Sequence, residues 1–279
     1  VPARIAATVD SAGLLAAMPG YTPATGLGVK LVSVFPGNVA VGIPSHQALI
    51  CLLDPRTGTP TTLMDGTHIT ALRTAAAAAL SARLLARPDA RVLAIVGAGV
   101  QGAAHLAMLP LVRDLVEVRV SSRTPEHARA LAATDSRAAA VDSVREAVAG
   151  ADLVALCTHA GEPVLRAGWL APGTHVTSVG YAPPDGELDR ATIERGSLFV
   201  EARTAFAPPP AGCFELAGLD PDDAAELGQV LLGRRPGRVA EDEVTVYKSM
   251  GHAVEDLAAA RLVDERARRE GAGTLVELG

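Results

Sequence analysis

The feature that most constrains the fold is a glycine-rich turn between a buried strand and a helix. The run Arg91-Val-Leu-Ala-Ile-Val96 has the continuous apolar character of a buried strand, and Gly97-Ala-Gly-Val-Gln-Gly102 follows it directly. In this order the first glycine permits a tight turn, the second admits a phosphate close to the main chain, and the third lets the helix pack on the strand. The helix N-terminus adds N–H donors. The pattern predicts a dinucleotide site formed by Gly97, Gly99, Val100, Gln101 and Gly102.

The residues after Pro88 alternate between strand and helix patterns. Apolar strands are expected at 92–96, 118–121, 152–157, 175–179 and 198–201. Alternation of this kind is typical of a parallel sheet joined by right-handed crossovers. The predicted fold class is therefore α/β, with a Rossmann doubly wound parallel sheet.

The residues before Pro88 follow a different pattern, in which Gly and Pro break up short strands. These strands are expected at Arg4–Thr8, Gly13–Met18, Gly28–Val34, His46–Leu53 and Thr59–Met64. An Ala-rich helix is then expected from Thr67 or Thr70 to about Leu85, because Ala and Leu favour helices and Pro88 ends one.

The change of pattern at Pro88 predicts two domains. Residues 89–237 form the NAD(P)-binding Rossmann domain, whereas residues 1–88 together with 238–279 form a second, α+β domain. The second domain includes a strand-like segment, Val244–Tyr247, and a last helix from about Ser249 to Arg269.

The end of the second Rossmann strand indicates which dinucleotide binds. An NAD enzyme usually carries Asp or Glu there for the ribose hydroxyls, but this sequence reads Val120-Ser-Ser-Arg-Thr124. Arg123 can pair with a 2′-phosphate, and Ser122 and Thr124 can donate hydrogen bonds to it. NADP(H) is therefore favoured; NAD(H), with Arg123 on a solvated loop, is the alternative. Thr158 is a further candidate, because it follows a strand at the sheet edge where cofactors lie.

Composition and charge argue against several classes of partner. The 25 basic and 31 acidic residues give a net charge of −6 without a dense basic cluster, so no nucleic acid is expected. No apolar run has the length of a membrane span, and no signal-peptide pattern is present. The 3 cysteines and 7 histidines show neither disulfide nor metal-ligand spacing. We expect a cytoplasmic protein without a metal.

Three cations stand outside the predicted Rossmann domain in conspicuous surroundings: Arg4, Lys30 and Arg73. Lys30 lies within an apolar run, where a charge is costly unless it meets a partner. It is therefore either a site residue in a cleft or a lysine that reaches solvent from an edge strand. Arg73 lies near the first turn of the Ala-rich helix.

Several unrelated motifs carry a family resemblance. They are Ile43–Gln47, Leu63–Ala75, Val96–Gln101, Ser122–Thr124, Ala151–Val154, Gly180–Asp189 and Tyr247–Gly251. In this order they resemble the ornithine cyclodeaminase and mu-crystallin family. The resemblance implies a Rossmann domain inserted into a substrate and dimerisation domain, and a homodimer.

The resemblance also implies roles for single residues. Arg4, Lys30 and Arg73 match family residues that hold the substrate α-carboxylate and act at the reacting carbon–nitrogen bond. Two guanidinium groups can clamp a carboxylate, and an ammonium can protonate an imine nitrogen as hydride arrives. Other positions match residues that line the cofactor in mu-crystallin-like members: Ser45, His46, Ser122, Arg123, Thr124 and Ser249. For His46, a position in the core or at an interface is the alternative.

Two alanines distinguish the chain from cyclodeaminases. Ala16 and Ala182 stand where cyclodeaminases resembling this chain place acidic residues, and Asp185 and Glu187 nearby are expected to be loop or supporting groups. The leading expectation is an NADPH-dependent reductase that converts small α-imino acids, either cyclic ketimines such as pyrroline-2-carboxylate or imines of α-keto acids, into L-amino acids. The alternatives are an ornithine cyclodeaminase-type lyase, an alanine dehydrogenase-like enzyme and a non-catalytic NADP-binding protein.

The chain begins at Val1, close to the first expected strand. Members of the family carry a helical segment of several dozen residues before that strand. We therefore expect an upstream segment to be missing from this sequence, and its loss to bear on activity and assembly.

Overall fold

A computed structural model describes residues 1–277. The strands are β1 (Ile5–Val9), β2 (Gly13–Thr22), β3 (Gly26–Val34), β4 (His46–Leu53), β5 (Pro60–Asp65), β6 (Val92–Val96), β7 (Glu117–Ser121), β8 (Ala138–Ala140), β9 (Leu153–Leu156), β10 (His175–Ser178), β11 (Ser197–Val200), β12 (Ala225–Glu226) and β13 (Thr245–Lys248). The α-helices are α1 (Thr67–Leu85), α2 (Val100–Met108), α3 (Pro125–Ala132), α4 (Val144–Val148), α5 (Arg190–Arg195), α6 (Leu227–Leu231) and α7 (Ala253–Glu270). The short 3₁₀ helices are Pro36–Val41, Leu109–Leu111, Ala167–Trp169, Arg203–Phe206, Phe214–Leu216 and Pro221–Asp223.

The chain divides into two compact units. The first unit comprises residues 1–73 and the chain from His252 onward, and the second comprises Thr74–Gly251. The predicted domains instead change at 88/89 and 237/238. That assignment of domains and their roles stays a prediction.

The first unit is built on an antiparallel sheet in the order β1-β2-β3-β4-β5. Its inner side packs on α7: Ile50 contacts the cluster around Leu257, and Met18 contacts the cluster around Ala253. Helix α7 starts at a capping box in which His252 and Glu255 bond each other's main chain, which supplies partners for otherwise unpaired N–H groups. Lys30 lies opposite Met18 and Ile50 in the register, so it also faces α7.

The outer side of this sheet is apolar and accessible. Leu31 pairs with Leu49 across neighbouring strands, so the exposed side chains form a continuous row. Between 38% and 69% of each residue of this outer apolar row is exposed; the row consists of Ile5, Leu15, Leu31, Leu49 and Leu63.

The second unit is built on a parallel sheet in the order β12-β11-β13-β10-β9-β6-β7-β8. Two apolar clusters cover its two faces, one around Val154 and Val176 and the other around Leu93 and Ile95. Burial on both faces explains why these strands read as continuous apolar runs. The strand order reverses between β6 and β9, and in such sheets ligands bind outside the carboxyl ends of the strands at that point.

The structure confirms the predicted α/β class, adds the short strands β8 and β12, and places two predicted elements differently. Strand β13 was expected in the α+β domain, but it lies between β10 and β11 of the parallel sheet. The last helix was expected from Ser249 and begins at Ala253, because Gly251 has a φ of +75° and His252 is the N-cap. The position of β13 depends on strands far along the chain, whereas the start of the helix is set locally by Gly251 and the His252 cap.

Within residues 1–277, no helix combines the length and the apolar character needed to cross a membrane. In the same residues, His, Cys, Asp and Glu side chains do not gather in groups of three or more that could hold a metal ion.

Candidate functional site

The glycine turn after β6 has the geometry that its sequence predicts. Gly97 has a φ of +105°, and a Cβ there would lie 2.5 Å from the carbonyl oxygen of Cys157. A Cβ on Gly102 would lie 2.1 Å from the carbonyl oxygen of Gly97. Neither position accepts a side chain without movement of the main chain, so both glycines are required by the turn itself.

The N-terminus of α2 is open to a ligand. Gly99 is the N-cap residue, so no side chain caps the helix. No atom lies within 4 Å of the position that a Cβ of Gly99 would occupy. The amides of Val100 and Gln101, at the start of the helix, donate to no atom within residues 1–277, so they remain available to an anion such as a pyrophosphate. The side-chain oxygen of Gln101 is buried and makes no hydrogen bond within residues 1–277. The turn fits a dinucleotide.

The loop between β7 and α3 carries the residues predicted to select the cofactor. The amide of Thr124 donates to the hydroxyl of Ser122 at 3.3 Å, which closes the loop. Arg123 between them is exposed and forms no ion pair with the residues that the structure describes. The loop contains no carboxylate, so it lacks the usual partner of the ribose hydroxyls of NAD.

Two further predicted residues follow strands that end at the same edge of the sheet. Thr158 follows β9, and both its amide and its hydroxyl donate to Glu187, at 2.9 and 2.7 Å. Ser249 follows β13, and its amide donates to the carbonyl of Ser178 at 2.9 Å. The hydroxyl of Ser249 is buried without a hydrogen-bond partner in the described part of the chain. A buried hydroxyl of this kind needs a hydrogen-bond partner, which a bound ligand can supply.

Ser45 and His46 belong to the first unit and lie at the start of β4. The hydroxyl of Ser45 lies 3.3 Å from Nδ1 of His46, and His46 is exposed. Their contact with the cofactor stays a prediction.

The three predicted cations come together in the first unit, beneath α7. Lys30 is 1% exposed, and its Nζ donates to Oδ1 of Asp256 at 2.8 Å. Arg73 reaches the same Oδ1 with Nε at 2.8 Å and donates from NH1 to Glu255 at 2.8 Å. Arg4 is close enough for its charge to lower the pKa of Lys30. We call Arg4, Lys30, Arg73, Glu255 and Asp256 the cation cluster.

The electrostatics of the cation cluster favour a lysine that exchanges protons near neutral pH. Burial, followed by the positive charge of Arg73, lowers the pKa of Lys30 from its ordinary 10.5 to about 8, although Asp256 opposes the shift. Burial also lowers the pKa of His252, which lies at the N-cap of α7. The Oδ2 atom of Asp256 is buried without a hydrogen-bond partner in residues 1–277.

Sequence reasoning missed the acidic members of the cation cluster. Asp256 shares the buried side of α7 with Ala253, Leu257 and Ala260. An acid on the apolar stripe of a helix is costly unless it meets a cation, and that signal could have identified it. Also missed were Glu215 and Lys248 in the second unit, which form a buried group with Glu187, a residue expected only as a loop or supporting group.

A parallel sheet with a glycine turn at its switch point defines a dinucleotide-binding protein of the Rossmann type. The model of the ornithine cyclodeaminase/mu-crystallin family matches residues 1–271, and the chain belongs to this family.

Known relatives agree with this assignment. The ketimine reductase mu-crystallin of Mus musculus is 42% identical over 254 residues, which cover 90% of this chain and 80% of the mouse protein. The structure of Thermococcus litoralis Δ1-pyrroline-2-carboxylate reductase, in complex with NADH and L-proline, is 35% identical with a TM-score of 0.93, over 99% of this chain and 89% of that one. An archaeal alanine dehydrogenase dimer with bound NAD is 28% identical with a TM-score of 0.89, over 100% and 88%. The predicted family and oxidoreductase class are confirmed.

Proposed function

We propose that the protein is an NADPH-dependent reductase of α-imino acids that yields L-amino acids. The observation that carries the proposal is the cation cluster, in which a buried lysine of lowered pKa lies beside two arginines. Such a group can bind a carboxylate and deliver a proton, which are the two tasks that an α-imino acid imposes.

Charge balance in the cation cluster favours an anionic substrate. Arg4, Lys30 and Arg73 supply three positive charges, whereas Glu255 and Asp256 supply two negative ones. A substrate carboxylate would therefore meet more cationic than anionic groups of the cluster.

Lys30 is the proposed proton donor to the substrate nitrogen. With a pKa of about 8, its ammonium is largely protonated at neutral pH and releases a proton more readily than an ordinary lysine. Asp256 holds Lys30 and Arg73 through Oδ1, and its unpartnered Oδ2 is available to accept a hydrogen bond from a substrate N–H. NADPH, when bound, supplies the hydride.

The preference for NADP(H) rests on Arg123. Arg123 follows β7, and the end of this strand is where the cofactor ribose of a Rossmann protein lies. Its guanidinium is exposed, and the loop contains no carboxylate that could pair with the guanidinium in place of a 2′-phosphate. Arg123→Ala is expected to weaken NADPH binding roughly ten- to a hundredfold and to leave NADH binding unchanged. Titration of both cofactors tests this; equal losses for the two would contradict the preference.

The activity test is a panel of imines with NADPH or NADH, followed by the absorbance of the reduced nicotinamide. Pyrroline-2-carboxylate, or an α-keto acid with an amine, is expected to consume NADPH and give the L-amino acid. Pyruvate with ammonia as the preferred pair would indicate an alanine dehydrogenase. Ammonia and proline formed from ornithine without net nicotinamide turnover would overturn the reductase assignment.

Binding without turnover is the remaining alternative. A protein that binds NADPH, consumes none across the panel, and behaves identically after Lys30→Ala would be a non-catalytic member of the family. The lowered pKa of Lys30 favours turnover, because a merely structural ion pair gains nothing from a proton held loosely.

We propose that the outer apolar row of the first unit is covered by a second copy of this chain. Large apolar side chains spread over neighbouring strands are unusual on a monomer surface. The archaeal alanine dehydrogenase noted above is described as a dimer. Light scattering is expected to report a dimer for the native chain and a smaller species for Leu31→Lys; an unchanged dimer would refute this surface.

A cytoplasmic location is part of the proposal. Its support is the free state of Cys51, Cys157 and Cys213, which suits a reducing compartment. Cell fractionation tests it, and recovery from an oxidising compartment would contradict it.

A further inference from the structure

A buried carboxylate ties together two strand ends beside the glycine turn. Glu187 is fully buried, and its Oε2 accepts from the amide and the hydroxyl of Thr158, at 2.9 and 2.7 Å. Its Oε1 accepts from the hydroxyl of Ser178 at 2.8 Å and from the amide of Gly180 at 2.7 Å. Glu187 thereby sets the position of the segment after β9 relative to the segment after β10.

Two more buried charged residues, Lys248 and Glu215, hold the main chain of Glu187 and the groups that bind its carboxylate. Nζ of Lys248 lies 2.6 Å from Oε2 of Glu215 and donates to the carbonyl of Gly180 at 2.6 Å and to the hydroxyl of Ser178 at 3.1 Å. Oε1 of Glu215 accepts from the amide of Glu187 at 2.9 Å. The contacts form a closed circuit through the ends of β9, β10 and β13. Because moving any member of the circuit would leave a buried polar group without its partner, the circuit restrains the three strand ends relative to one another.

The circuit lies at the edge of the sheet where the dinucleotide turn is. A Cβ on Gly97 would lie 3.3 Å from Cγ2 of Thr158, so Thr158 packs directly against the first glycine of the turn. A Cβ on Gly180 would lie 2.0 Å from the carbonyl oxygen of Thr158, which shows how closely the two segments approach. Ser249, with its unpartnered buried hydroxyl, follows Lys248 directly.

We propose that Glu187, held by Lys248 and Glu215, is a positioning residue for the nicotinamide cofactor and acts through Thr158 and the main chain at Gly180. The inference rests on one part of the proposed function, that the second unit binds a nicotinamide dinucleotide. It assigns Glu187 no proton transfer and no contact with the reacting atoms.

The test is cofactor affinity without substrate, measured for NADPH and NADH by titration calorimetry. Glu187→Gln replaces one acceptor oxygen by an NH₂ group that faces donors, so binding is expected to weaken roughly tenfold for both cofactors. The matched control is Glu243→Gln. Glu243 also accepts from a serine, Ser197, and from main-chain amides, but next to the amino ends of β11 and β13. It is expected to change affinity less than about twofold.

A double-mutant cycle with Thr158→Val separates positioning from general stabilisation. If Glu187 acts through Thr158, the double variant is expected to bind the cofactor about as tightly as the single variant with the lower affinity. The reason is that the affinity losses caused by two contacting residues with one shared role do not add up. Losses that multiply, or a Glu187→Gln variant that melts earlier but binds normally, would overturn the proposal.

A milder variant covers the case in which Glu187→Gln does not fold. Ser178→Ala removes one donor to Glu187 and one partner of Lys248, and is expected to weaken binding roughly threefold. Unchanged affinity would overturn the proposal. Failure of the native chain to bind either dinucleotide would overturn the proposed function as well, whereas native binding with unaffected variants would overturn this inference alone.

Discussion

Two buried lysines, one in each unit, differ in how completely their surroundings compensate the positive charge. Lys248 meets a carboxylate, a carbonyl and a hydroxyl, so each of its three N–H donors has an acceptor. Lys30 meets the single oxygen Oδ1 of Asp256, which it shares with Arg73. Burial without full compensation lowers the pKa of Lys30 to about 8. The proposed role of Lys30 as a proton donor rests on this difference in the number of acceptors around the two ammonium groups.

The largest expected effect is on the chemistry of Lys30. Lys30→Met is expected to lower kcat/KM for imine reduction roughly a thousandfold, within the range that general acid catalysis contributes, while NADPH affinity stays unchanged. Steady-state kinetics and cofactor titration on the same preparation check both parts. A variant that keeps more than about a tenth of the native activity would remove Lys30 from the proposed chemistry.

The next effect is on stability, and it falls on the other lysine. Lys248→Met leaves Oε2 of Glu215 buried without its cation and is expected to cost roughly 3–5 kcal/mol of unfolding free energy. Lys30→Met costs less, because Asp256 keeps its contact with Arg73. Urea unfolding of both variants gives the ranking. A larger loss of unfolding free energy for Lys30→Met than for Lys248→Met would contradict the difference drawn between the two lysines.

The pH dependence follows from the pKa of Lys30. In reduction the ammonium form is the active one, so kcat/KM is expected to decline above about pH 8 by roughly tenfold per unit. In oxidation of the L-amino acid the neutral amine must accept the proton, so the rate rises with pH until it levels off above about 8. Profiles measured in both directions check the sign. The same slope in both directions would show that another group titrates.

The smallest effect concerns the partner of Lys30. Asp256 raises the pKa of Lys30 by its charge and its hydrogen bond. Asp256→Asn is therefore expected to move the decline of kcat/KM for reduction to lower pH. Activity near neutrality falls by roughly tenfold, because less of Lys30 is protonated. Glu255→Gln is the control and should leave that decline in place, because Glu255 is bound to Arg73 and to the main chain of His252 but not to Lys30. A decline that stays at the same pH in Asp256→Asn would show that Asp256 does not set the pKa of Lys30.

Local features of the sequence predicted most of the second unit. The glycine turn, the strand at 92–96 and the loop with Arg123 each depend on residues that are adjacent in the chain, so their patterns are visible without a structure. Lys30 was also visible, because a charge within an apolar run is anomalous by itself.

The partners of these residues were not visible. Lys30 and Asp256 are 226 positions apart, and Lys248 and Ser178 are 70 apart. Strand β13 joins the parallel sheet although its neighbours in the chain were read as part of another domain. Periodicity describes one element at a time and contains no information about which distant element will lie against it.

The sequence by itself determined the dinucleotide turn, the α/β class and the presence of three conspicuous cations, since each follows from residue types at short spacing. Only the tertiary structure decided that those cations share one buried carboxylate, and that a second lysine is fully satisfied by its surroundings. The physical reason is that the energy of a buried charge depends on every group that folding brings within a few ångströms, and those groups come from remote parts of the chain.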